Sequence, residues 1–270
     1  MIKKILLALA LFSFASIACK ADVMRLAVTT SFHNSGLSDV LLPEIKRDIG
    51  IEIQLLVVGT GQALRLGSAG DVDAILVHSR AAEDQFVAEG HGTHRREIMY
   101  NDFVFVGPIA DPAGLKSAQN ARDGVGKVAA AKSTFVSRGD DSGTHKKELS
   151  IWAGAGLDPK TFDPWYKAVG AGMGAALNTA SGLNAYILTD RASWLNFGNK
   201  GGLELLFAGD PELFNQYAFL PVSSARHKHI KTNLNSKLEA WLTSARAQEL
   251  INGYKIDEQT LFVFNAEATP

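Results

Sequence analysis

"SRGDDSGTHKKEL" (Ser137–Leu149) follows a short β-branched and aromatic run, "TFVSR", and enters a segment with helical spacing. A strand that ends in a polar glycine turn and feeds a helix is the repeating unit of an α/β chain. The turn carries Arg138, a charged fork of donors, and the hydroxyls of Ser142 and Thr144. Gly139 and Gly143 let backbone N–H groups approach a ligand closely. A helix starting here adds free amides and a positive dipole end. All of these groups donate to an anion except Asp140 and Asp141. Those two read as a brace for Arg138 or a cap for the next helix, with a plain solvated N-cap as the alternative. "RGD" as an adhesion tripeptide does not fit a strand-to-helix turn.

The same unit recurs upstream. "VMRLAVTT" reads as a buried strand, and "SGLSDVLLPEIKRDIG" as a helix with Leu37, Leu41, Ile45 and Ile49 on one face, where Pro43 is expected to kink or split it. "IEIQLLVV", "VDAILVHS" and "DFVFVGP" read as strands, and "GTGQALRLGSAG" as a glycine turn with a short helix. Downstream, "THKKELSIWAGAG" reads as a helix with Leu149, Trp152 and Ala153 inward. "GMGAALNTASG" and "SWLNFG" read as helices around the strand "AYILTDR", and "YAFLPVS" as a returning strand. The tail "NLNSKLEAWLTSARAQELINGY" is one long or two abutting helices with Gly253 as C-cap. Strands alternating with helices predict a mostly parallel sheet flanked by helices, here in two series joined by "DFVFVGP" and "YAFLPVS". The expected division is a leader over 1–21, a first lobe over 22–106, a second lobe over 107–216 and a return to the first over 217–270. A cleft between the lobes is a natural ligand site.

Composition sets the outer bounds. The chain has 270 residues, 46% hydrophobic and 20% charged, enough for a sizeable core. A formal net charge of −1 gives no reason to expect nucleic acid or a membrane surface as partner. Lys3 and Lys4 precede an apolar run and then small residues, "SIACKAD", the pattern of a secretory signal. Cleavage after Ala18 or Ala21 is expected. Acylation of Cys19 is the alternative, disfavoured by Ser16 where lipoprotein signals usually carry leucine.

Ligands in open α/β sheets bind beyond the carboxyl ends of strands. Polar turns follow predicted strands at "TTSFHNSG", "GTG", "HSR" and "SRGDDSGT". Together, "VTTS", "VGTGQAL", "DAILVHSRAAE" and "SRGDDSGTHKKE" resemble the periplasmic tungstate-binding proteins of bacterial ABC importers, "RGDDSGTH" being the most specific element. Val28 departs from the usual threonine triplet. The Arg-x-x-x-Ser-Gly-Thr spacing carries a broader kinship to phosphate-binding proteins. The resemblance implies a two-lobed periplasmic binding protein of type II-like architecture, closing around one oxyanion. It assigns donor roles to Thr30, Ser31, Thr60 and Ser79 in the first lobe and to Arg138, Ser142, Gly143 and Thr144 in the second. Thr29, Gly61 and His78 are secondary candidates. It implies no cofactor, a likeness to monomeric receptors, and delivery to a permease and ATPase in the inner membrane.

Phosphate-binding relatives place an aspartate after the third strand, where this chain has His78-Ser79. A cleft of donors alone suits a fully ionised tetrahedral dianion such as tungstate or molybdate. A receptor for molybdate or phosphate is the second reading. A hydrolase using Ser142 is the reading from another class, opposed by the lack of a G-x-S-x-G elbow. His145 with Glu148, His91 with His94, and His227 with His229 give too few ligands for a metal; the first pair reads as part of a surface helix with Lys146 and Lys147, and the other two as solvated loops.

Overall fold

A computed structural model describes residues 22–267. The leader over 1–21 and Cys19 lie outside the described residues. The first series runs β1 (Asp22–Thr29), α1 (Thr30–Asn34), α2 (Leu37–Ile49), β2 (Ile51–Val58), α3 (Thr60–Ala69), β3 (Ala74–Val77) and α4 (Arg80–Ala88). A long strand, β4 (Arg96–Pro108), leads to the second series. That series is α5 (Ala121–Ala130), β5 (Phe135–Ser137), α6 (Gly143–Gly154), β6 (Tyr166–Ala168), α7 (Met173–Leu183), β7 (Tyr186–Asp190), α8 (Arg191–Asn196) and β8 (Leu203–Phe207). The chain returns through β9 (Phe214–Pro221) to α9 (Thr232–Leu242), α10 (Ala245–Gly253) and the short strands β10 (Lys255–Ile256), β11 (Gln259–Thr260) and β12 (Val263–Phe264).

The strands follow the order β2-β1-β3-β9-β4-β7-β5-β6, with β8 and β12 also pairing β4. Within each lobe the neighbours are parallel: β1 with β2 and β3, β5 with β6 and β7. The antiparallel pairs all involve the two crossing strands, apart from the small β10–β11 hairpin. β4 changes partner midway: Arg96–Asp102 pair with β9, and Phe103–Val106 pair with β7. Each lobe therefore packs helices on both faces of its own part of the sheet. Met24, Val28, Leu41 and Trp241 belong to the core on one face of the first lobe, and Ile75, Phe86 and Leu220 to the core on the other. Phe135, Trp152 and Trp165 fill one face of the second lobe, and Val136, Leu177 and Trp194 the opposite one. Burying such a side chain contributes about 1.5–3 kcal/mol.

Three expectations are corrected. Pro43 sits inside α2 without splitting it, while Leu37, Leu41 and Ile45 are buried as their spacing requires. The tail breaks at Ser244, whose hydroxyl accepts from Ala247 N and starts α10; Gly253 is the last helical residue rather than a left-handed cap. In α6 the inward face differs from the one expected. Leu149 is exposed, as is Ala153, and the buried positions are Thr144, Glu148, Ile151 and Trp152. A carboxyl group claims the inner face because two buried donors meet one of its oxygens there. Glu148 Oε1 accepts from Trp152 Nε1 at 3.1 Å and from Tyr166 OH at 2.6 Å. Trp152 packs edge-on to Phe135 and Phe162, with centroids 5.3 and 5.1 Å apart. Glu148 thus ties α6 to β6, fixing the helix whose start carries Ser142–Thr144.

Burial pushes the Glu148 carboxyl up to about 7, against the pull of its hydrogen bonds. A carboxyl raised on folding stabilises fully below its unfolded pKa and loses that contribution as pH rises through the folded value. Gln at 148 keeps an oxygen for both donors and does not titrate. Denaturant titrations of Glu148→Gln and wild type should therefore diverge in the variant's favour by about 2–3 kcal/mol as pH rises from 4.5 to above 7. A constant difference across that range would refute an ionising Glu148.

Candidate functional site

β1 and β3 run opposite to β5 and β7, so their carboxyl ends point at one another and bring Thr29–Ser31, His78, Arg138 and Asp190 toward the point where β4 changes partner. β1, β5 and β7 pass into their helices through side-chain caps. Thr29 Oγ1 accepts from Phe32 N at 3.2 Å, and Ser142 Oγ from His145 N at 3.1 Å. Asp190 Oδ1 accepts from Ser193 N at 2.8 Å. These caps hold the turns in place and direct the remaining polar atoms inward.

Arg138 is only 1% exposed. Its Nη2 donates to Asp140 Oδ2, and its Nε donates to Ala171 O at 3.4 Å. Asp140 Oδ1 also accepts from Ser142 N at 3.3 Å, so this aspartate is both brace and turn-holder. Asp141 is different. It adopts a left-handed φ of 58° and faces outward to Arg65 at 3.3 Å and to Lys146. Arg138 Nη1 is buried without a partner, as are Thr144 Oγ1 and His78 Nδ1. A buried donor left unmade costs about 1–3 kcal/mol, so these atoms together call for an acceptor.

His78 is buried and its imidazole is pushed down to about 3, by burial first and then by the charge of Arg138. It is neutral at any ordinary pH, and a hydroxyl chain orients it. Thr29 Oγ1 receives Phe32 N–H and lies 3.0 Å from Ser31 Oγ, which lies 3.0 Å from His78 Nε2. With Thr29 donating to Ser31 and Ser31 to Nε2, the ring hydrogen falls on Nδ1, the nitrogen without a partner. Tyr217 OH, 3.4 Å from Ser31 Oγ, closes the cluster behind.

The other expected residues have visible employment between the lobes. Gly143 N donates to Thr60 Oγ1 at 3.2 Å, and Gly61 N to Asp141 O at 3.2 Å. Thr30 Oγ1 accepts from Met173 N at 3.3 Å. Ser79 is not drawn into the hydroxyl cluster: its N–H donates to Glu83, and it lines an outer groove of about 740 Å³ with Lys146 and Lys147. His78 occupies the slot that the turn offered to either residue, because strand alternation turns it inward. His78 and Gly143 line that groove too, which connects it to the buried atoms.

Asp190 and Tyr217 were not singled out by the sequence reading, which foresaw donors alone. Asp190 is fully buried with Oδ2 unpartnered, so a carboxyl group stands among the donors. Its signal was the "TDR" turn at the end of β7, the same strand-to-helix turn used elsewhere. Tyr217 sits inside a strand, where nothing distinguishes a phenol serving a site from one filling a core. Among the described residues no group of three or more His, Cys, Asp or Glu is placed to hold a metal ion.

A family model described as a PBP superfamily domain matches residues 20–246. The chain is 45% identical over 232 residues to the tungstate-binding protein TupA of Peptoclostridium acidaminophilum, covering 85% of this chain and 80% of that protein. The solved tungstate-binding protein TupA of Desulfovibrio alaskensis G20 superposes with a TM-score of 0.77 at 42% identity, covering 92% of this chain and 100% of that one. A structure described as the tungstate ABC transporter from Geobacter sulfurreducens gives a TM-score of 0.79 at 44% identity, over 86% and 98% of the two chains.

The contact at Gly143 yields a test of how tightly the lobes meet. A Cβ there would lie 2.7 Å from His78 Nδ1 and 2.8 Å from His78 O, whereas at Gly59 the nearest atom is 3.6 Å away. Gly143→Ala should push the lobes apart and raise the radius of gyration in small-angle scattering, and Gly59→Ala should leave it unchanged. Identical profiles for both variants would place no close inter-lobe contact at Gly143.

Proposed function

The chain belongs to the PBP superfamily, with tungstate-binding proteins among its relatives, and we propose that it captures tungstate between its lobes for delivery to an ABC importer. One observation carries the chemistry: Arg138 Nη1, Thr144 Oγ1 and His78 Nδ1 are buried and unpartnered, and the turn from β5 to α6 meets the end of β3 so closely that a Cβ on Gly143 would lie 2.7 Å from His78 Nδ1. Such a set fits a tetrahedral oxyanion with acceptors on every side. The names of the relatives narrow that class to tungstate.

The energetics are adequate. A charge-assisted hydrogen bond contributes about 1.5–3 kcal/mol net. Nanomolar affinity needs about −12 kcal/mol beyond the costs of association. The three orphan donors therefore need help from groups now paired across the lobes, such as Gly143 N and the Thr60 hydroxyl. Those pairs are weakly spaced and can be exchanged for ligand oxygens. Ser31 and Thr29 then serve as the hydroxyl support behind His78, Thr30 holds Met173 N across the lobes, and Gly61 fixes the second lobe's turn.

Binding without catalysis fits the placement of Ser142. Its hydroxyl caps α6, and the His145 ring nitrogen Nδ1 takes the Asp141 N–H at 3.3 Å. No general base is aimed at it. The remaining assignments follow the same reading: a secreted, periplasmic monomer with no cofactor, serving a permease and ATPase.

Calorimetry on Arg138 variants tests the site. Arg138→Gln should weaken tungstate binding at least about 100-fold, on the scale of a lost buried charged hydrogen bond. Arg138→Lys should weaken it less, because the ammonium keeps the charge but loses the planar fork that meets Asp140 and the ligand together. Wild-type affinity in the Gln variant would sink the assignment.

A further inference from the structure

Asp190 ends β7 with one carboxyl oxygen in use and the other idle. Oδ1 caps α8 through Ser193 N, while Oδ2 is buried and partnerless. The groups packed around it leave that oxygen little to compete with. From β4, Phe103 pairs with Asp190 in register, and the adjacent Asp102 is held by Arg191 through contacts of 2.8 and 2.6 Å. From β5, Arg138 is the cation whose charge reaches it. From β9, Tyr217 is a phenol that burial raises above its usual range, with Asp190 adding to that rise. Just past β3, the imidazole of His78, 5.9 Å from the Phe103 ring, is neutral.

The local charge count is unfavourable to a dianion. Arg138 supplies one positive charge, and Asp140 already accepts from its guanidinium. An ionised Asp190 would leave the buried site negative before tungstate arrived. A carboxylate with an unpaired oxygen facing a tetrahedral dianion is repulsive, whereas a carboxylic acid in the same place is a donor.

We propose that Asp190 binds the oxyanion as a protonated acid, its Oδ2–H donating to an oxyanion oxygen, so that each tungstate captured takes up one proton from solvent. This deepens the reading of the cleft as a tungstate site and rests on it. No bond of the oxyanion breaks; the proton moves from bulk water to the aspartate. Burial already lifts Asp190 to about 6, and a dianion beside it lifts it further. Above that value, capture requires a proton and release returns it.

The consequence is a pH-dependent affinity whose origin can be assigned. Calorimetric titration of tungstate into the whole chain, at neutral to mildly alkaline pH in buffers of different ionisation enthalpy, should show about one proton taken up per anion. The wild-type dissociation constant should rise about tenfold per pH unit in that range. Asp190→Asn keeps an oxygen for the Ser193 cap and an amide donor at the other position. It should abolish proton uptake, flatten the pH profile and bind at least as tightly as wild type at alkaline pH.

Glu148 also titrates near neutrality and lies within reach of the Asp140 charge. Uptake that survives in Asp190→Asn and disappears in Glu148→Gln would overturn the assignment. A wild-type chain that binds tungstate with no proton uptake overturns this inference alone, without needing any variant to fold. A wild-type chain that binds no tungstate overturns the reading of the cleft and this inference with it.

Discussion

A buried guanidinium with one arm unsatisfied sets the terms for the rest of this molecule. Arg138 is held by Asp140 and by the Ala171 carbonyl, and Nη1 is left over. Such an arrangement is costly unless a ligand completes it. The surrounding packing is what makes the cost tolerable. Trp152, Phe135 and Glu148 lock α6 against β5 and β6, so the turn between strand and helix has no freedom to relax and expose the arginine. The site is therefore preorganised by the second lobe's core, and the stability of that core underwrites binding.

Much of the fold was legible because strand and helix periods alternate clearly from "VMRLAVTT" onward. The two crossing strands were also visible as apolar runs, although β4 is longer than "DFVFVGP" suggests. Its first half, "REIMYN", alternates weakly because the register against β9 shifts between Glu97 and Met99. The inner face of α6 was misread for a specific reason. Hydrophobicity favoured Leu149, but the helix rotates to give Glu148 its two donors, and that requires knowing Tyr166 is nearby. Long-range partners of this kind have no local signature.

The site shows the same division. Arg138, Ser142, Gly143 and Thr144 form one local motif, and all lie where that motif places them. The choice between His78 and Ser79 depended on which way β3 presents its last residues, which only the sheet decides. Asp190 stayed hidden because a carboxylate looks out of place in an anion site. Its meaning depends on the upward pull that burial exerts on the carboxyl, and burial is a property of the assembled fold.

The contacts between the lobes bear on how such a site opens. Those at the ligand turns are polar and long: Gly143 to Thr60 at 3.2 Å, Gly61 to the Asp141 carbonyl at 3.2 Å, Thr30 to Met173 at 3.3 Å, and Ser193 to the Ser31 carbonyl at 3.4 Å. Farther along α8 the contacts are tighter: Asn196 reaches the Asn34 carbonyl at 2.7 Å, and Ala192 packs in the first lobe's core. The outer ion pair of Arg65 and Asp141 is solvent-exposed and contributes at most about 1 kcal/mol. At the ligand turns themselves the lobes meet through these polar pairs, while β4 and β9 run continuously between them. A ligand that replaces these loose pairs with charge-assisted hydrogen bonds shifts the balance decisively, because its oxygens satisfy donors from both lobes only when the lobes meet.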